Sequence, residues 1–330
     1  MSAATSKLLA IAFFAGAACL ALPLILLYDD VSSAQTKRTI RIIVPSTVGG
    51  GADLLARLLA DHMGRAQNIK VVVENRPGAS NTIGTEVASR AEPDGNTLLI
   101  STPEFVINAH LRKLNYDPLT SFRPVCYLAR SPQVFVVHAL SPYRTLKGLL
   151  GAARARPGEI TFASAGPASS TRFAIEMLKR LANVTINYIP YQGSTPAVNA
   201  VLSGQVNSAL ASYPNVVGLV KDNQLHALAV TSPVRVSEIP DVPTVAESGF
   251  EGYESDIWFG VVAPAETPEK IIAELSTWFM DAVSAPELKP KLAALGLFAT
   301  GICGDKFGAF ISGEYEKYGR IIRETEHRTR

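Results

Sequence analysis

Gly49-Gly50-Gly51 stands between an apolar run, Thr39–Pro45, and a helix-like run that begins at Asp53. Glycines let backbone N–H groups approach a ligand with no Cβ in the way. A helix start behind them adds N–H donors outside the helix's own ladder and a partial positive charge. Together they make an anion cradle built from main chain.

Three further segments repeat the design of strand, small polar loop and helix start: Asn75–Gly84, Phe162–Ser170 and Pro190–Ala197. Any one of them is an ordinary strand–helix joint. Four of them, rich in hydroxyls and amides, point to a shared carboxylate-binding site fed by helix N-termini rather than by basic side chains.

Other chemistries fit poorly. A dinucleotide fingerprint needs glycine where Leu54 stands, and no Gly-Lys-Ser/Thr follows the triplet. His62, His110, His138, His226 and His327 lack metal-ligand spacing. Neither a metal nor a cofactor is expected. Ser164, Ser169 and Ser170 could serve a hydrolase only if His138 or His226 folds close to one of them. Helix capping and ligand contact are the simpler use of those hydroxyls.

The elements that must position these loops alternate along the chain. Strand-like runs fall at Arg41–Val44, Ile69–Glu74, Thr97–Ile100, Gln133–His138, Ile160–Ala163, Thr185–Tyr188, Val206–Leu210 and His226–Val230. Helix-like runs fall at Asp53–Met63, Thr82–Arg90, Thr145–Ala155, Ser170–Ala182, Thr195–Ser203, Tyr213–Asp222, Pro268–Val283 and Phe307–Ile322. The alternation predicts an α/β protein with mainly parallel sheets. The 296 residues from Gln35 onward, of 330 in all, suit two domains, and no Gly/Ser linker divides them. A cleft between two lobes is a preferred place for a small ligand.

Ahead of this lies an apolar run, Leu8–Leu27, broken by Pro23 and followed by Ser32-Ser33-Ala34-Gln35. It predicts a secretory signal over residues 1–34, cleaved after Ala34. The run exceeds the usual apolar core of about 7–15 residues, so an uncleaved anchor is the alternative. Cys19 lacks the setting of a lipidation site. Both readings place the folded part outside the cytoplasmic membrane, periplasmic if cleaved. There Cys126 and Cys303 either pair or stay as two buried thiols. A formal net charge of +2, with no block of like charge, argues against nucleic acid as a partner.

The same loops carry a family resemblance. Pro45…Gly49-Gly50-Gly51-Ala52-Asp53…Ala56-Arg57 and Asn75-Arg76-Pro77-Gly78-Ala79…Ile83-Gly84 resemble the first two loop signatures of the Bug proteins, periplasmic solute-binding components of tripartite tricarboxylate transporters. Glu92–Leu99, Tyr116-Asp117-Pro118, Tyr191-Gln192-Gly193…Pro196-Ala197, Gly204-Gln205-Val206, Leu228–Ser232, Pro240–Glu247 and Trp258-Phe259-Gly260…Thr267-Pro268 follow in family order.

The resemblance implies a two-lobed periplasmic-binding-protein fold (type II, Venus-flytrap), each lobe a mainly parallel sheet flanked by helices. Residues 35–134 and 253–330 are expected to form one lobe and 135–252 the other. It also implies a monomeric receptor without catalytic residues, which hands a small organic carboxylate to membrane permease subunits. A sensory role, reporting the bound state to a membrane sensor, is the alternative use of the same cleft.

Departures from the family pattern cluster in the ligand loops. Ser46-Thr47-Val48 replaces Phe-Pro-Pro, removing a ring that could stack on a ligand. Ala52 stands where Thr is common, Ser80-Asn81 where Gly-Gly is usual, Arg172 where His is frequent, and Asn207 and Ala211 where two acids are usual. The expected solute is therefore a plain or hydroxylated carboxylate with no required amino group, and a neutral polar solute stays open. Arg172 is either a second anion contact or a solvated helix residue.

Candidate contacts in the first loop are Ser46, Thr47, Val48, Gly49, Gly50, Gly51, Ala52 and Asp53. The second loop offers Ser80, Asn81 and Thr82, and Thr102 follows the next strand. Ser164, Gly166, Ser169 and Arg172 come from the third loop, and Tyr191, Gln192 and Gly193 from the fourth.

Overall fold

A computed structural model describes residues 38–329. The leader, its cleavage and Cys19 lie outside these residues. Among the described residues no helix is long and apolar enough to cross a membrane.

The first lobe is built on strands β1 (Thr39–Val44), β2 (Lys70–Asn75), β3 (Thr97–Ser101), β4 (Phe122–Ser131), β10 (Ile257–Pro264) and β11 (Phe298–Cys303), in the order β11-β4-β10-β3-β1-β2. Its period-2 pattern serves two buried faces. Ile40, Ile42, Leu98 and Ile100 point to one side, where helices α1 (Gly51–Ala66) and α8 (Glu269–Ser284) pack. Ile43 and Leu99 point to the other, against α3 (Glu104–Leu111) and α10 (Asp305–Thr329). Helix α2 (Thr82–Ser89) follows β2, and α9 (Lys289–Ala294) precedes β11.

The second lobe holds β5 (Gln133–His138), β6 (Thr161–Ser164), β7 (Asn187–Pro190), β8 (Ser208–Ser212) and β9 (Leu225–Val230), ordered β7-β6-β8-β5-β9. Helices α4 (Leu146–Ala155) and α5 (Ser170–Ala182) cover the face that carries Phe135 and Phe162. Helices α6 (Ser194–Leu202) and α7 (Tyr213–Lys221) cover the face of Val134, Val136 and Ala163.

The chain passes between the sheets at Pro132, directly from β4 to β5, and returns between β9 and β10. The two passages are tied together. Gln133 donates its N–H to Thr231 Oγ1 at 2.9 Å, Thr231 Oγ1 donates to Asp256 Oδ1 at 3.0 Å, and Arg130 pairs with Asp256 at 2.9 Å.

The sheets are more mixed than the alternation predicts. β1 runs parallel to β2 and β3, but β10 is antiparallel to β3 and β4, and β11 to β4. In the second sheet β6 is parallel to β7 and β8, while β5 is antiparallel to β8 and β9. The antiparallel members include the strands that carry the chain between lobes, and β4, β10 and β11 are not among the strand-like runs predicted. Arg123, Pro124 and Arg130 interrupt the apolar run of β4. β7 and β8 begin two residues later than predicted, because Ile186 and Val206 are buried just ahead of the paired strand.

The cysteine question closes in favour of pairing. Cys126 on β4 and Cys303 on β11 are directly opposed in the antiparallel ladder and form a disulfide across 177 residues of sequence.

Candidate functional site

Six helices begin at one cavity of about 450 Å3. The starts of α1, α2 and α3 reach it from the first lobe and those of α5, α6 and α7 from the second. Each helix follows a strand that belongs to the parallel part of its sheet, so the cavity lies outside the carboxyl ends of those strands, where open α/β sheets place ligands. Six positive helix ends face it, each worth about half an elementary charge before screening. No lysine, arginine or histidine is among the described residues that line it.

The first loop divides its labour. Gly49 has φ +82° and needs the freedom of glycine. Its N–H donates to Asp53 Oδ2 at 2.9 Å and is committed to the loop. Gly50 is the N-cap of α1, and the first bond of the helical ladder runs from the Leu54 N–H to the Gly50 carbonyl at 3.0 Å. The amides of Gly51 and Ala52 therefore lie in the first turn, outside that ladder. Both residues line the cavity, as do Ser46 and Gly50. A Cβ on Gly51 would meet Phe259 at 3.2 Å, so glycine there lets the ring close over the loop.

Asp53 is buried behind the loop rather than in the cavity. It accepts from Arg57 Nε at 3.1 Å and from Asn75 Nδ2 at 3.0 Å as well as from Gly49. Burial pushes its carboxyl up, but the hydrogen bonds from Arg57, Gly49 and Asn75 outweigh it and hold the group below its ordinary value. Thr47 and Val48 are exposed at the loop tip and do not line the cavity.

The second loop turns through four successive positive-φ residues, Gly78, Ala79, Ser80 and Asn81. Neighbours hold this strained run: Asn108 Nδ2 donates to the Ser80 carbonyl at 2.7 Å, and Asn81 Nδ2 donates to Thr102 Oγ1 at 3.2 Å. Ser80, Asn81 and Thr102 line the cavity, whereas Thr82 caps the turn by donating to the Ala79 carbonyl at 3.0 Å.

In the third loop Ser169 is the N-cap of α5, accepting the Arg172 N–H at 3.3 Å, and it lines the cavity with Gly166. Ser164 is fully buried and donates to Tyr188 Oη at 3.0 Å, while Tyr188 Oη donates to the Gly166 carbonyl at 2.8 Å. Burial pushes the Tyr188 phenol up, against the pull of its Ser164 hydrogen bond, so it remains a donor. Ser164 is thus a brace for the loop. His138 and His226 sit at the far ends of β5 and β9, where the two are near neighbours across the ladder, and neither lines the cavity. From the fourth loop Gln192 and Gly193 line it, while Tyr191 packs into the second-lobe core.

Arg172 lies about 200° around α5 from Ser170 and faces away from the cleft. Its Nη1 donates to the Pro167 carbonyl at 2.6 Å, its guanidinium lies over the Phe173 and Tyr188 rings, and it lines a separate recess beside Glu176. Asn207 bonds Thr161 at the opposite ends of β6 and β8, and Ala211 is buried in the core, so neither replacement bears on a ligand in this cavity. The missing aromatic ring is supplied from β10 by Phe259, which lines the cavity and is 5% exposed.

Other lining residues escaped the sequence reading. Glu104 follows Thr102-Pro103 at a helix start of the same design as the others, which was a usable signal, as was Ser212-Tyr213-Pro214-Asn215 at the start of α7. Ser131, Ile257, Phe259 and Leu297 come from the interlobe strands and a distant turn, and nothing local marks them.

Residues 55–326 match the family described as tripartite tricarboxylate transporter family receptor (TctC). A protein from the tcbD–tcbE intergenic region of a Pseudomonas species is 34% identical over 88% of this chain and 87% of its own. The protein BugT of Bordetella pertussis is 33% identical over 87% and 89%. Among solved structures, an R. palustris protein with adipate is 30% identical, with a TM-score of 0.78 over 87% of this chain and 96% of that one. MatC from Rhodopseudomonas palustris with bound malate is 26% identical, with a TM-score of 0.75 over 86% and 99%.

Proposed function

Since this chain belongs to the tripartite tricarboxylate transporter receptor family, we propose that it is a periplasmic solute-binding receptor that captures a small carboxylate between its lobes. It delivers the solute to the membrane subunits of a tripartite transporter and catalyses no reaction on it. One observation carries the reading: six helix starts converge on a cavity that, among the described residues, no basic side chain lines, which is a main-chain site for an anion. Carboxylate capture also agrees with the adipate and malate held by the two related structures.

The amides of Gly51 and Ala52 hold the carboxylate, with the Ser46 hydroxyl beside them, while the Gly50 N–H is turned to the Thr47 carbonyl at 3.4 Å. Ser80, Asn81, Thr102, Gly166, Ser169, Gln192 and Gly193 contact the rest of the solute, and Phe259 forms an apolar wall. The sheet of β1–β4, β10 and β11 and the sheet of β5–β9 act as the two closing lobes; Gln133 and Val134 go with the second lobe, not with residues 35–134, and Tyr253 packs there too. Residues 1–34 direct export, and the receptor works as a monomer. A thermal-shift screen over mono-, di- and tricarboxylates, followed by calorimetry, tests this. A ligand that binds only the native state raises the melting temperature. No shift with any carboxylate overturns the reading.

A further inference from the structure

Glu104 is the one charged side chain among the described residues that line the cavity. It stands in the first turn of α3, on the first lobe, and reaches across the cleft. Its Oε1 accepts the N–H of Ser170, the first residue of α5 on the second lobe, at 3.3 Å. Its Oε2 accepts the Thr102 hydroxyl at 2.7 Å, and Thr102 Oγ1 accepts Asn81 Nδ2 at 3.2 Å. A carboxylate of the protein itself thus sits at the N-terminus of α5, inside the cavity that the glycine loop also lines. Ser131 lines the same cavity, is 2% exposed, and its Oγ has no hydrogen-bond partner. A buried hydroxyl left in that state points to a ligand that completes it.

We propose that Glu104 determines specificity by pre-filling the second anion position of the cleft. The solute then brings one carboxylate to the glycine loop and a hydrogen-bond donor to Glu104: an ammonium, an amide or a hydroxyl. A second carboxylate would have to share the α5 terminus with Glu104, and two like charges in a part-buried site repel. A donor replaces that repulsion with a charge-assisted hydrogen bond. The inference rests on the carboxylate-receptor reading and narrows it. It also qualifies what Asn207 and Ala211 suggested, that no acid serves a solute's ammonium: Glu104 on α3 lines the cavity.

Calorimetry with succinate, succinamate and γ-aminobutyrate tests it, because the three share one carboxylate and differ in whether the other end is an anion, a neutral donor or a cation. The wild-type protein is expected to bind succinamate or γ-aminobutyrate at least about tenfold more tightly than succinate. Glu104→Gln keeps the size and an acceptor oxygen; it is expected to erase that preference and raise succinate affinity by about tenfold. Wild-type protein that binds succinate as tightly as both donors overturns the proposal without needing the variant. So does an unchanged ranking in Glu104→Gln, or binding of a longer di- or tricarboxylate when none of the three binds. These outcomes leave the receptor reading intact; only the absence of binding to every carboxylate removes both.

Discussion

The Asp53 carboxylate accepts the Gly49 N–H at 2.9 Å from within the first turn of α1, so the glycine loop is folded back on its own helix. Asp53→Ala orphans that N–H and removes two further bonds, from Arg57 and Asn75. A loss of about 2–3 kcal/mol is expected by urea denaturation, together with weaker carboxylate binding. The pH dependence follows from the sign of the shift. A carboxyl held below its ordinary 3.8 contributes stability above that value and loses it as pH falls through the lower folded value. Stability curves of wild type and Asp53→Ala should therefore converge in acid.

Gly50 has φ −75°, and a Cβ there meets only the Thr47 carbonyl at ordinary contact distance, 3.5 Å. Gly50→Val is thus expected to fold with a near-normal melting temperature and to lose carboxylate affinity by about tenfold or more, since its side chain screens the amides of Gly51 and Ala52. Unchanged affinity by calorimetry would place the carboxylate elsewhere.

Ala79 is exposed and held at φ +48°. Ala79→Gly exchanges left-handed strain of about 1–2 kcal/mol for a glycine entropy cost of about 0.5–1 kcal/mol. The expected result is a stabilised protein, by up to about 1.5 kcal/mol, read as a higher urea midpoint. A lower midpoint would mean that the neighbours already relieve the strain.

Burial pushes Asp256 up to about 6, against the pull of Arg130. The folded chain then keeps a proton between pH 3.8 and about 6 that the unfolded chain has released. This group's contribution to stability is present at low pH and falls as pH rises through that window. Asp256→Asn is expected to remove that slope, as measured by denaturation at several pH values.

The Cys126–Cys303 disulfide ties β4 to β11, and neither cysteine lines the cleft cavity. Reduction, or replacement of both cysteines by serine, is expected to cost about 2–5 kcal/mol of stability. Carboxylate affinity at room temperature should be retained.

Much of the site was legible because its parts are local. A strand, a small polar loop and a helix start are contiguous in sequence, so Ser46, Gly50, Gly51, Ser80, Asn81, Ser169, Gln192 and Gly193 could be picked from spacing and residue type, and all line the cavity. Side-chain direction was less accessible. Asp53 and Ser164 have the right chemistry in the right loops, yet both turn inward to brace them. Arg172, open in the sequence between an anion contact and a solvated residue, lies two residues past Ser170 and so on the other side of α5, away from the cavity.

The sequence by itself determined the alternating α/β architecture and the placing of glycine and small polar loops at helix starts, because apolar periodicity, glycine runs and residue types are properties of short segments. The tertiary structure alone decided what faces what. It brought Phe259 from β10 over Gly51, paired Cys126 with Cys303 across 177 residues, and set Glu104 of one lobe against the α5 terminus of the other. Those contacts join segments far apart in the chain, and they exist only once two sheets have closed around a common cavity.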